Sequence, residues 1–169
     1  MSAEHVTYIW CVPSADDEVR VQAAIDELAD AQAAPRFMPH MSLASVSGSV
    51  PDLAGTLEEL RGLQVQPLEI AESDAFTMAM FLRVERHPAL LRARKAFESL
   101  PGFRSSRSFD PHLSLCYGPP PKGAAQSDRV LSLLQKSLTF DRLVTVDIPA
   151  SVSNYDDIRA WKILDSIPF

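Results

Sequence analysis

Apolar positions along the chain switch between two periods. Val6-Thr-Tyr-Ile-Trp-Cys-Val12 is a run of β-branched and aromatic residues closing at Pro13, the pattern of a buried strand. Ser14, three residues before Asp17, then reads as a helix N-cap pair. Val21, Ile25 and Leu28 follow at helical spacing among charged residues until Pro35 stops the pattern. A short alternating stretch over 40–46 predicts a second strand. Pro51 with Leu53, Leu57 and Leu60 predicts a second helix, and 65–71 a third strand. The second half predicts the same order: a strand over 76–85, a helix opened by Pro88, a strand over 111–117, a helix over 127–138 and a strand over 143–148. A final strand over 158–164 closes the series.

The two halves share one word. Phe37-Met-Pro-His-Met-Ser-Leu43 and Phe109-Asp-Pro-His-Leu-Ser-Leu115 both read Phe-x-Pro-His-x-Ser-Leu, with His40 and His112 72 residues apart. The same offset lays the first strand, 6–12, onto 78–84. A repeat at half the chain length predicts two similar lobes and not a solenoid, whose shorter units recur at least three times. The expected organisation is one domain over 1–169, with repeat halves at about 1–73 and 74–149 and a closing strand within 150–169.

Composition narrows the possibilities. At 169 residues, 46% hydrophobic and 22% charged, the chain can bury a core without disulfides or a structural metal. Its longest apolar runs are strand-sized, so no membrane span is expected. The N-terminal Met1-Ser-Ala-Glu-His5 lacks the basic and apolar regions of a signal peptide, so a cytoplasmic location is expected. A net charge of -6 repels a long polyanion, which excludes extended DNA or RNA as the expected partner and leaves a small anionic substrate open. Cys11 and Cys116 fall in strand-like runs and read as buried reduced thiols, at no zinc-binding spacing. His5 and His87 read as solvated surface residues.

On an extended strand, residues two apart share a face, so each copy of the word presents one imidazole beside one hydroxyl. If the lobes meet about a two-fold axis, His40, Ser42, His112 and Ser114 converge. Imidazole titrates near pH 6.5, so one histidine can accept a proton while the other gives one. Two hydroxyls suit a phosphate oxygen. The chemistry is in-line displacement at phosphorus, with no metal or cofactor called for.

These residues, the opening strand with Trp10 before Pro13, the flank Tyr117-Gly118 and a terminal segment with Trp161 resemble the 2H phosphoesterases, and within them the plant and yeast cyclic phosphodiesterases. The resemblance covers nearly the whole chain. It implies an α+β fold of two pseudo-symmetric lobes, each an antiparallel sheet with helices outside and an active-site cleft between them. The implied substrate is a small cyclic phosphate nucleotide: a nucleoside 2′,3′-cyclic phosphate or ADP-ribose 1″,2″-cyclic phosphate, opened to the 2′-phosphate in RNA or tRNA processing. It implies His40 and His112 as proton carriers, with His112 the base and His40 the acid, and Ser42 and Ser114 as phosphate donors. The subgroup often has Thr where Ser42 stands. Tyr117 is implied at the phosphate and Trp10 against the nucleobase, and Phe76, which starts the corresponding strand of the second lobe, is a further base-binding candidate. Arg104 and Arg107 read as a solvated loop that could meet a distal phosphate, and the pocket walls are expected from 47–50 and 119–126.

Other readings differ in class. An RNA-end cyclic phosphodiesterase of the same superfamily would want a basic stripe that the chain lacks. A nucleotidyl-transferring ligase would need an activated lysine, and Lys95, Lys122, Lys136 and Lys162 stand in no such motif. A non-catalytic nucleotide-binding module would not require both histidines. A monomer is the default expectation.

Overall fold

The computed structural model describes residues 4–105 and 107–169; Met1 to Ala3, part of the N-terminal segment read above for a signal peptide, and Ser106 lie outside the described residues. The strands are β1 (His5–Pro13), β2 (Met41–Val46), β3 (Gln64–Val65), β4 (Pro67–Glu72), β5 (Met80–Val84), β6 (His112–Cys116), β7 (Leu138–Pro149) and β8 (Lys162–Pro168). The helices are α1 (Ala15–Gln32), α2 (Ala54–Leu60), α3 (Pro88–Glu98), α4 (Asp128–Ser132) and α5 (Tyr155–Arg159). The fold is α+β, with an open antiparallel sheet in the order β3-β7-β1-β2-β6-β5-β4 and β8 paired to β7.

The sheet divides where β2 meets β6 at a single register pair, Met41 opposite Leu113. These are the x residues of the two His-x-Ser words, and both are buried in the main core with Ile25, Leu28, Leu43, Leu90, Phe97 and Leu115. Since side chains alternate across a strand, burying Met41 and Leu113 on the helix-covered face sends the neighbouring histidines and serines to the other. Trp10, Val12, Val144, Val146 and Ile148 form a smaller apolar cluster of their own.

The sequence halves do not coincide with the spatial lobes. β4 ends the first half yet pairs with β5, and β7 ends the second yet pairs along the whole of β1. Each half thus lends its last strand to the other. The β4–β5 connection is short, so the two strands lie antiparallel side by side.

Several elements differ from their sequence-based outlines. Residues 76–85 are not one strand: Phe76–Met78 form a 3-10 turn before β5. The 127–138 segment gives the short α4, a 3-10 turn over Leu133–Gln135 and the start of β7. Ile158 ends up in α5, whose start is fixed by an Asn154–Asp157 capping box, and the last strand begins at Lys162. Pro51 lies ahead of α2, which starts at Ala54.

Ser14 precedes α1 without a side-chain cap bond. Its supposed partner Asp17 is buried and accepts hydrogen bonds from the Thr139 backbone N–H at 2.8 Å and Arg20 Nε at 3.1 Å, tying α1 to β7. His87 is not merely solvated: its Nδ1 accepts from the Ala89 N–H and caps α3. His5 pairs with Asp147 at 2.9 Å on the exposed start of β1. Both cysteines are buried free thiols, and burial pushes each thiol pKa up to about 12. Among the described residues no helix is long and apolar enough to cross a membrane.

Candidate active site

A β-bulge follows the serine in each His-x-Ser word. Along β1 and β2, Ile9 opposes Ala44 and Trp10 opposes Ser42, leaving Leu43 without a partner. Along β5 and β6, Met80 opposes Cys116 and Phe81 opposes Ser114, leaving Leu115 without one. An extra residue shifts the alternation of faces by one. Ser42 and Ser45 therefore border one cavity although three residues apart, and Ser114 and Tyr117 do the same. Tyr117, at an odd spacing from His112, would face the opposite side of a regular strand; the bulge at Leu115 turns it inward.

The bulges also correct the pairing of the repeats. Trp10 opposes the first serine and Phe81 the second, so the first strands correspond at an offset one residue shorter than the histidines do. Phe81, which the sequence comparison passed over, is the counterpart of Trp10. Trp10 stacks on His40 with ring centroids 3.6 Å apart and planes 13° apart, while Phe81 meets the His112 ring edge-on at 5.0 Å.

The cavity between the lobes has a volume of about 840 Å³ and brings together His40, Ser42, His112, Ser114, Tyr117 and Trp10. Phe76 is not among its lining residues; it packs against Tyr155 and Tyr117 at 5.7 and 6.2 Å, because the turn at 76–78 carries it off the sheet. Trp10 borders the cavity but is only 2% exposed, and its ring is committed to His40. The walls come from 104–105, 107–110, Ile148 and 150–152 and not from 47–50 or 119–126, so Arg104 and Arg107 line the cavity. Arg94 of α3 lines it too: its Nη1 donates to the carbonyl of the bulged Leu43 at 2.9 Å, and its guanidinium lies over the rings of Phe103 and Phe109. None of this was visible in the local sequence around Arg94, since Leu43 lies 51 residues away on β2.

Both imidazoles are anchored alike. His40 Nδ1 donates to the Met38 carbonyl at 2.7 Å, and His112 Nδ1 donates to the Asp110 carbonyl at 2.6 Å. A carbonyl oxygen can only accept, so each Nδ1 carries the proton and each neutral ring keeps its lone pair on Nε2. Pro39 and Pro111, between the carbonyl residue and the histidine, restrict the backbone at this turn in both lobes.

Their surroundings differ. His40 is 5% exposed, between Trp10, Phe37 and Trp161, whose rings lie 3.6, 6.1 and 5.8 Å away. Burial lowers its pKa to about 4, partly opposed by the Met38 hydrogen bond. His112 is also lowered by burial, but the Asp110 hydrogen bond and carboxylate pull it back up against Arg83 and Arg107. Arg83, opposite His112 on β5, holds the Asp110 carboxylate through contacts of 3.1 to 3.2 Å and also pairs with Glu69. Burial raises the Tyr117 phenol, and a hydrogen bond with Ser114 works against that rise. The two hydroxyls are thus already coupled beside His112.

A family model described as the 2′-5′ RNA ligase superfamily matches residues 12–149. No curated protein matches the chain. Among solved structures, a phosphoesterase gives a TM-score of 0.55 at 13% identity over 98% of each chain. Escherichia coli LigT in complex with phosphate gives 0.51 at 13% identity, and in complex with 3′-AMP 0.52 at 12%, each over 99% of this chain and 98% of that one. At these identities the likeness is one of fold.

Proposed function

The chain belongs to the 2′-5′ RNA ligase superfamily, the 2H phosphoesterases, and on that footing we propose that it hydrolyses a small cyclic phosphate: a nucleoside 2′,3′-cyclic phosphate or ADP-ribose 1″,2″-cyclic phosphate. Phosphodiester and cyclic phosphate chemistry is general to the superfamily; the substrate and the 2′-phosphate product are our reading. The observation that carries it is the pair of Nδ1-anchored imidazoles facing one cavity beside Ser42 and Ser114. In the reaction, water attacks phosphorus as one Nε2 takes its proton. The bond to the opposite ester oxygen breaks, and the other imidazolium gives that oxygen a proton. Ser42 and Ser114 donate to the non-bridging oxygens as their charge grows, with Tyr117 supporting Ser114. Two histidines complete both proton transfers, so the sequence needs no Lewis acid.

The resemblance assigns the base to His112 and the acid to His40. The surroundings favour the reverse. Burial lowers both imidazoles, His40 to about 4, but at His112 the Asp110 hydrogen bond and carboxylate offset part of the fall, so of the two His112 is the better placed to carry the proton. We therefore take His40 as base and His112 as acid. In His40→Ala the residual rate would then follow protonated His112 and fall as pH rises; a residual rate that climbs with pH would restore the order implied by resemblance.

Product analysis tests the substrate assignment. Purified protein given 2′,3′-cyclic AMP or ADP-ribose 1″,2″-cyclic phosphate should yield the 2′-phosphate or the 1″-phosphate respectively. A 3′-phosphate from cyclic AMP would contradict the regiochemistry, and binding without turnover of either would favour a nucleotide-binding module. The family's description motivates a second arm: a 5′-hydroxyl replacing water in the same displacement would join two ends by a 2′-5′ bond.

A further inference from the structure

The cavity is more cationic than a two-histidine phosphate site requires. Arg94, Arg104 and Arg107 border it against one carboxylate, Asp110, in a chain whose net charge is -6. Asp110 is occupied by Arg83. Two of the three bordering arginines are also committed: Arg94 to Glu98 and the Leu43 carbonyl, and Arg104 to Glu4. Arg107 differs. Its Nη1 donates to Met78 Sδ at 3.1 Å, and among the described residues it pairs with no carboxylate. A thioether is a weak acceptor, whereas a guanidinium fork matches phosphate. Arg107 is close enough to the reacting centre for its charge to oppose protonation of His112, and on the cavity wall its guanidinium is held by Met78.

We propose that Arg107 binds a second phosphate of the substrate, carried on the 5′-oxygen of the ribose whose cyclic phosphate the histidines open. This rests on the function proposed above. A ribose with a base at C1′ and a phosphate bridging O2′ and O3′ has one hydroxyl left, so a second phosphate on that sugar can stand only on O5′. ADP-ribose 1″,2″-cyclic phosphate likewise carries its diphosphate on the 5-oxygen of the sugar being opened. A bare cyclic nucleoside phosphate leaves Arg107 on its thioether.

The test compares kcat/KM for adenosine 2′,3′-cyclic phosphate bearing a 5′-hydroxyl, a 5′-phosphate or a 5′-methylphosphate, in the wild type, Arg107→Gln and Arg107→Lys. The wild type should prefer the 5′-phosphorylated substrate by about tenfold or more, mainly through KM. Arg107→Gln should bring that ratio close to one, and Arg107→Lys should keep part of it, since charge survives and the fork does not. The methyl ester separates recognition of a terminal phosphate from that of a diester or diphosphate link. A wild-type ratio near one overturns the inference. So does an Arg107→Gln variant that slows all three substrates equally, which would put the guanidinium on the reacting phosphate. Turnover of none of them refutes the proposed function, and this inference with it.

Discussion

The aromatic enclosure of His40 makes folding stability depend on pH in a defined direction. The unfolded chain titrates this imidazole at about 6.5, and burial lowers it to about 4 in the folded protein. Between those values the unfolded state binds more protons, so stability is whole above the unfolded pKa and is lost as pH falls from about 6.5 through about 4. At about 1.4 kcal/mol for each pH unit, the fall is on the order of 3 kcal/mol, a large part of a typical domain's margin. His40→Asn removes the titration while its amide nitrogen, standing where Nδ1 does, can still donate to the Met38 carbonyl. Denaturant unfolding of both proteins at pH 7.5, 5.5 and 4 isolates the effect, because the other titrating groups are common to both and largely cancel in the difference, the charge coupling to His112 being the smallest cause of the His40 shift. The stability of the wild type relative to the variant should decline by about 3 kcal/mol across this range. A difference that stays constant with pH would refute the claim that His40 is held neutral by burial.

Three further outcomes follow from the geometry. Ser42→Ala and Ser114→Ala should each lower kcat by about 10- to 100-fold with little change in KM, as expected for donors that matter most when charge develops, measured by steady-state kinetics. Gly118, at φ +72° beside Tyr117, would place a Cβ 2.9 Å from the Tyr155 hydroxyl; Gly118→Ala should cost about 1–2 kcal/mol by denaturant unfolding, and an unchanged midpoint would contradict the close approach. Arg94→Met should leave the bulged Leu43 carbonyl without its donor, costing about 1–3 kcal/mol of stability and also lowering kcat through Ser42. Loss of stability with kcat intact would show that the bulge holds its shape without Arg94.

Much of the site was legible because its words are local. Phe-x-Pro-His-x-Ser-Leu, twice, contains the restricted turn, the anchored imidazole, the hydroxyl and the buried x residue that orients them. What was not legible depends on partners far along the chain. The bulges at Leu43 and Leu115 appear only when β2 is laid against β1 and β6 against β5, so Phe81 went unseen and Phe76 was taken in its place. The crossing of β4 and β7 between lobes escaped the repeat for the same reason, since pairing is a choice among strands and periodicity describes only one. Asp17, with the spacing of a local cap, was claimed by Thr139 on a distant strand. Arg104 and Arg107 had the composition of a solvated loop, and only the fold brings both to the wall of the cleft.

The central claim is that His40 and His112 act as one proton-transferring pair. Its most direct measurement is turnover of 2′,3′-cyclic AMP in the presence of EDTA by the wild type, His40→Ala, His112→Ala and the double variant. The account predicts metal-independent hydrolysis by the wild type, a loss of about 10²- to 10⁴-fold in either single variant, and little further loss in the double variant because each histidine's role depends on the other. Full activity in either single variant, or losses that multiply in the double variant, would contradict it.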